Sequence, residues 1–318
     1  MSNPRPFRFG IKVATDPGDI PTREGWIALA RKAEDLGYAT FSVADHYIND
    51  MLPIAALMFV ADATRTLRIG SCVFDVNYRH PILLAKEVAA LDWFSGGRFE
   101  LGLGAGALRV DYDVVGMPYD PPGVRVQRLV ESVAILKRFF TQDTVNFTGE
   151  YYRVTDLPAI PQAAQRPHPP IFIGGGGKKL LSLAAREADI IGVEAKQQDD
   201  QGHAVPGERT EAALGQKVTM LREVAGERFD AIELNYGFRQ VIRTEDRQRA
   251  AEQYARERPS AGLTAEQVLA DPYLLIGTVE QMVETLLRRR EQVGISYLQV
   301  FFQEIDVFAP VVARLAGK

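Results

Sequence analysis

The sequence predicts an α/β chain folded as a (β/α)8 TIM barrel, and two observations carry that expectation. Apolar residues recur alternately with a period of two and a period of about 3.6 residues, as strands and helices in turn require. Eight strand-like runs can be placed, each followed by helical sequence, which argues for a closed parallel barrel over an open doubly wound sheet. Barrels of 318 residues run as one unit, and no stretch reads as a linker, so a single domain over residues 1–318 is expected.

The first strand is Phe7 to Val13, followed by a turn rich in Asp, Pro and Gly over residues 16–21. Thr22 is a fair N-cap for a helix with Trp26, Leu29, Ala30, Ala33 and Leu36 on one face, and Gly37 sits where a helix wants a left-handed C-terminal residue. Thr40 to Ala44 is the second strand, Pro53 opens a helix to about Ala63, and Leu67 to Phe74 is the third strand. Pro81 occupies the first turn of a helix that buries Leu84, Val88 and Leu91. Arg98 to Leu103 is the fourth strand, followed by a long helix from about Gly123 to Phe140. The fifth strand is Pro170 to Ile173, with Leu180 to Arg186 on the next helix, and the sixth is Asp189 to Val193. The seventh lies within Ile232 to Ile242. Thr278 and Gln281 form a capping box for a helix ending at Gly294, then Tyr297 to Phe302 is the eighth strand and a terminal helix spans about Asp306 to Leu315. Two excursions stand out: a hairpin around Gly149 over residues 144–154, and a polar loop over 195–208 that is a candidate lid.

Composition excludes several function classes. With 37 basic against 41 acidic residues there is no nucleic-acid footprint. One cysteine, Cys72, excludes an intrachain disulfide. No apolar run approaches the roughly 18 residues of a membrane span, and the N-terminus lacks an apolar signal core, so a soluble, cytoplasmic protein is expected. Carboxylates, histidines and the cysteine show no metal-ligand spacing.

In such barrels chemistry gathers where strands end, at the C-terminal mouth. After strand two come Asp45, His46 and Tyr47, a histidine beside a carboxylate that can orient it for proton handling, or alternatively a polar pair capping a helix. After strand three come Ser71, Cys72, Val73 and Asp75; without a visible activating base, Cys72 reads as a packing residue. Gly104, Ala105 and Gly106 follow strand four and allow close approach of backbone to a flat ligand, although GxGxG is not the dinucleotide fingerprint. Gly174, Gly175, Gly176 and Gly177 follow strand five and open a helix, offering backbone N–H groups and the helix dipole to a phosphate; a flexible turn is the alternative. His80 before Pro81 reads as a helix cap, and His168 and His203 lie in polar or proline-rich segments.

Taken together, these segments resemble the bacterial luciferase-like monooxygenase superfamily, specifically its branch dependent on the deazaflavin coenzyme F420. The resemblance rests on Asp45-His46-Tyr47, on the stretch from Leu91 to Gly106, and on Pro170 to Gly177, with Leu67 to Gly70, Arg79 to Pro81 and Gly149 to Tyr152 in support. It implies a TIM barrel with luciferase-like insertions, catalytic roles for Asp45 and His46 at the cofactor ring, and a bulge after strand three with a cis bond at Cys72–Val73 that buttresses the ring. It also implies that Ser71, Cys72, Val73, Asp75 and Gly104 to Gly106 border the cofactor and that Gly174 to Gly177 receive its phosphate. The implied activity is hydride transfer between F420 and a small organic substrate, by reduction of C=C or C=N. The alternatives are an FMN-dependent monooxygenase and a non-catalytic cofactor-binding barrel. Relatives that oxidise sugar phosphates carry a Glu where this chain has Ala107, which argues against such a substrate. A homodimer through barrel helices is expected, with Met58 and Phe59 as candidate contacts.

Overall fold

The computed structural model describes residues 5–14, 18–20, 22–49, 51–196, 207–259 and 262–318. Eight parallel strands close into a barrel: β1 (Arg8–Val13), β2 (Thr40–Val43), β3 (Arg68–Ser71), β4 (Phe99–Gly104), β5 (Ile171–Gly175), β6 (Ile190–Val193), β7 (Glu233–Gly237) and β8 (Tyr297–Phe301). Each pairs with the next, and Arg8↔Tyr297 through Lys12↔Phe301 join β8 back to β1. No strand edge is left open in the ring, and the expected fold class is met.

Alternation along β1 shows how the sequence builds two layers. Phe9 points outward, its ring 5.3 Å from that of Phe308 on the terminal helix Ile305–Leu315. Arg8 points inward, with its guanidinium 3.9 Å over the Tyr297 ring, and Lys12 reaches the Phe301 ring at 4.5 Å. The barrel interior therefore carries polar groups among its apolar ones, and several of them satisfy one another. Thr40 Oγ1 lies 2.7 Å from the Tyr297 hydroxyl, and Gln299 Nε2 donates to Ser42 Oγ at 3.0 Å. Glu100, only 6% exposed, receives Arg8 at 2.6 Å and Arg68 at 2.7 Å near the N-terminal end.

Helix starts follow the sequence signals. Thr22 accepts from the Gly25 N–H at 3.0 Å, His80 accepts from the Ile82 N–H at 3.2 Å, and Thr278 with Gln281 forms the capping box. The hairpin exists as Thr144–Thr148 paired antiparallel with Arg153–Pro158.

Three segments differ from the sequence expectation. Strand three ends at Ser71 rather than Phe74; the Cys72–Val73 bond is cis, as the resemblance implied, and Phe74–Asp75 then pairs again with the end of β4. The run Ile232 to Ile242 splits at Phe238 and Arg239: β7 stays in the barrel, while Gln240–Arg243 leaves it and pairs with Leu274–Gly277. That excursion carries helices Arg247–Glu257 and Ala265–Ala270 and buries its own cluster of Ala251, Tyr254, Val268, Leu274 and Ile276. Finally, a short helix, Arg109–Val115, follows β4 where no element was expected. The candidate lid lies mostly outside the described residues, at 197–206, as does His203.

Candidate functional site

Asp45 and His46 follow β2 at the C-terminal mouth, and the chain sends them to different partners. The Asp45 carboxylate is 2% exposed; it accepts from Arg79 Nη2 at 3.0 Å and from the Asp75 N–H at 3.1 Å. Burial pushes the Asp45 carboxyl above the usual carboxylate range, with Arg79 opposing. Its contacts tie β2 to the segment after β3. His46 instead meets Asp111, on the short helix after β4, with Nδ1 at 2.7 Å from Oδ2. Asp111 is fully buried and also accepts from the Ile48 N–H at 3.3 Å. The sequence offers Asp45 as the carboxylate that orients the imidazole; the structure supplies Asp111, because successive residues leaving a strand diverge while the inserted helix folds back over the mouth. A carboxylate only accepts, so Nδ1 carries a proton, and Nε2 is the nitrogen free to take up or give one. Among the described residues, no protein group engages Nε2.

Asp75 organises the neighbouring wall. Its Oδ1 accepts from the Asn77 N–H at 2.9 Å and Nδ2 at 2.7 Å, and its Oδ2 accepts the Tyr112 hydroxyl. Burial and the Asp75 carboxylate push the Tyr112 phenol up, so it stays a donor. Asn77 Nδ2 and Arg125 Nη1 both take the Ala105 carbonyl, at 3.1 and 2.9 Å, and Arg125 also takes that of Gly106. Gly106 has φ +79, and a Cβ there would fall on the Tyr112 hydroxyl and the Asp75 carboxylate, so both conformation and space require glycine. Gly104 gives room to Val73, whose Cγ2 would lie 2.5 Å from a Cβ. Tyr47, Tyr78, Tyr112 and Tyr119 form a chain of ring contacts, with centroids 4.4, 5.4 and 4.9 Å apart along it. The glycines of strand four thus close-pack against the segment after β3.

The run Gly174 to Gly177 is half-exposed at the end of β5 and leads into helix Lys178–Glu187. Gly175 and Gly176 are filled sites: a Cβ would strike Leu180 and the backbone of Ala195 and Lys196. Gly177 differs. It is the N-cap, makes no side-chain cap, and has nothing within 4 Å of where a Cβ would stand. The first-turn N–H groups of that helix therefore face open space at the mouth, a cradle suited to an anion.

Ser71 bonds inward: its hydroxyl donates to the Gly102 carbonyl at 2.8 Å and accepts the Gly102 N–H at 3.0 Å. The Cys72 sulfur lies 3.8 Å from Gln299 Oε1 and, among the described residues, has no histidine bonded to it; burial pushes the thiol up, which agrees with a packing residue. His168 Nδ1 lies 3.0 Å from the Pro169 carbonyl oxygen, remote from the mouth. Among the described residues no group of three or more His, Cys, Asp or Glu could hold a metal, and no helix is long and apolar enough to cross a membrane.

The family described as luciferase-like monooxygenase matches residues 7–297. The chain belongs to the luciferase-like monooxygenase family. Relatives fall on both sides of its cofactor divide. The chain is similar to an FMNH2-dependent dimethylsulfone monooxygenase of Pseudomonas putida, 33% identical over 45% of this chain and 43% of the relative. It is also similar to an F420-dependent glucose-6-phosphate dehydrogenase of Amycolatopsis mediterranei, 29% identical over 51% of each. The chain spans about half the length of the curated relatives it matches. Its fold matches the coenzyme F420-dependent tetrahydromethanopterin reductase of Methanopyrus kandleri, with a TM-score of 0.74 at 19% identity, covering 98% of this chain and 99% of the other. Family members are oxidoreductases or monooxygenases.

Proposed function

We propose that this chain is an oxidoreductase that transfers a hydride between coenzyme F420 and a small organic substrate, in the direction that reduces C=C or C=N. One observation carries the reading: the open, uncapped cradle at Gly177 shares the barrel mouth with a buried-carboxylate-oriented histidine. The anion cradle fits the phosphate of a deazaflavin or flavin, with Gly174 to Gly177 holding it. Ser71, Cys72, Val73, Asp75, Gly104, Ala105 and Gly106 form the wall that borders its ring. The bound cofactor supplies the hydride chemistry. His46 holds or delivers the proton at Nε2, Asp111 fixes its tautomer, and Asp45, through Arg79 and the Asp75 N–H, holds the wall beneath it. The second reading, an FMN-dependent monooxygenase, draws on the likeness to the dimethylsulfone enzyme.

Fluorescence titration with F420 and with FMN tests the choice. Saturable F420 binding with weaker FMN binding is expected; tight FMN binding without F420 binding overturns it in favour of the monooxygenase. Gly177→Asp is a sharper probe. Asp is a good N-cap and meets no neighbour there, so the fold is retained, while a carboxylate in the cradle repels phosphate. Affinity is expected to fall about tenfold or more, roughly 1.4 kcal/mol.

The same reading carries a cytoplasmic homodimer. Met58 and Phe59 pack partly against the barrel core, whereas Leu83, Trp93 and Phe94 on helix Pro81–Phe94 stay exposed and are the better apolar contacts.

A further inference from the structure

Two charged side chains in the barrel mouth have no task in the reading above. Lys12 comes from the inward face of β1 and Glu194 from the residue after β6, whose N–H donates to the Gly175 carbonyl at 3.0 Å. Gly237 at the end of β7 makes room for both. A Cβ there would stand 3.1 Å from Lys12 Nζ and 3.9 Å from Glu194 Oε1. The two groups therefore converge across the barrel axis without joining: among the described residues, neither has an ion-pair partner within 4.0 Å. Lys12 rests over the Phe301 ring instead. Arg239, exposed at the rim, adds a second positive charge that acts on Glu194. Lys217, by contrast, is committed to Glu208 and to the Glu194 carbonyl.

A half-buried ammonium without a counter-ion is an electrostatic vacancy for an anion. Burial pushes the Glu194 carboxyl up, while Lys12, Arg239 and the Gly237 N–H oppose it; a carboxyl that holds its proton donates a hydrogen bond and leaves Lys12 uncancelled. We propose that Lys12 and Glu194 form a subsite for a carboxylate of the substrate, with the ammonium facing the anion and the Glu194 carboxyl donating to one of its oxygens. This rests on the mouth being the reaction site and names the substrate class: small carboxylic acids whose reducible bond lies beyond the anchored carboxylate.

The only cysteine reports on the subsite without any cofactor. Cys72 lies within the field of both Lys12 and Glu194. Alkylation of the cofactor-free protein is followed by mass spectrometry with two reagents, anionic iodoacetate and neutral iodoacetamide; each forms the C–S bond as iodide leaves. The ratio of the two rates cancels the thiolate fraction and reads delivery of a carboxylate. In the native chain it is expected to exceed that of Lys12→Met by about tenfold, as loss of one close charge would give. Lys12→Arg is expected to keep it, which separates charge from folding. Equal ratios in the native chain and Lys12→Met overturn the proposal. If neither reagent reaches the thiol, calorimetry with crotonate decides: binding lost in Lys12→Met supports the subsite, and no binding to the native chain overturns it. Failure of F420 titration would sink the proposed cofactor and leave this measurement standing, and the converse holds.

Discussion

Replacing Asp111 with alanine is expected to lower turnover by about 10²-fold while leaving cofactor affinity near its native value. His46→Ala is expected to cost more, about 10² to 10⁴-fold, the usual contribution of a positioned proton-transfer group. The difference follows from the geometry. His46 presents the reacting nitrogen, and Asp111 acts through it, holding Nδ1 at 2.7 Å and, through the Ile48 N–H, the turn that carries the imidazole. Without the carboxylate the ring populates both tautomers and swings, so Nε2 is presented as an acceptor only part of the time.

A purely structural role for Asp111 would give a different pattern. Nitrogen-15 NMR of the imidazole is expected to show one tautomer in the native chain and a mixture in Asp111→Ala. Asp111→Glu, which keeps the charge, is expected to recover part of the turnover. An unchanged tautomer together with full turnover in Asp111→Ala would remove the pair from the mechanism.

The contrast between Asp45 and Asp111 shows what the sequence could convey. Strand order, helix caps and the glycine clusters were legible because each is local: Thr22, His80 and Thr278 sit beside the N–H groups they cap. The partner of His46 was not, since the two residues are 65 positions apart and meet only because an unanticipated helix turns back over the mouth. Residues 109–115 read Arg-Val-Asp-Tyr-Asp-Val-Val, too short a window for a clear helical period, although the left-handed Gly116 at its end was a usable signal. The excursion after β7 was hidden for a related reason. The alternation Leu234, Tyr236, Phe238 is followed closely by Val241 and Ile242, and an apolar pattern alone cannot say that Phe238 and Arg239 carry the chain out of the barrel. Lys12 and Glu194 were equally silent, because convergence across a closed barrel depends on β1, β6 and β7 having closed it.

Glu100→Gln is expected to produce the largest loss of stability, about 3–5 kcal/mol, because it removes the buried carboxylate that Arg8 and Arg68 share, leaving Arg8 with Glu233 alone and Arg68 without an ion-pair partner. Glu100 lies at the start of β4, facing inward, and receives Arg8 from β1 and Arg68 from β3. Arg8 continues to Glu233 at the start of β7 with a 2.6 Å contact and covers the Tyr297 ring of β8, so five of the eight strands meet in one charged layer. Exposed pairs such as Arg314 with Glu280 are screened by solvent and make the natural control. The pH dependence has a definite sign. Burial alone would raise the Glu100 pKa, but Arg8 and Arg68 outweigh it and hold the group below the usual range. A carboxyl with a depressed folded-state pKa contributes stability above its unfolded value of about 4.3, and that contribution is lost as pH falls toward the folded value. Urea unfolding at steps from pH 7 to pH 3 should therefore show the native chain losing stability below about pH 4.3 more steeply than Glu100→Gln, which has no proton to bind there. Parallel curves, or a loss under about 1 kcal/mol at pH 7, would mean that water or a shifted Glu233 takes over the arginines, and that the charged layer is not what closes the bottom of the barrel.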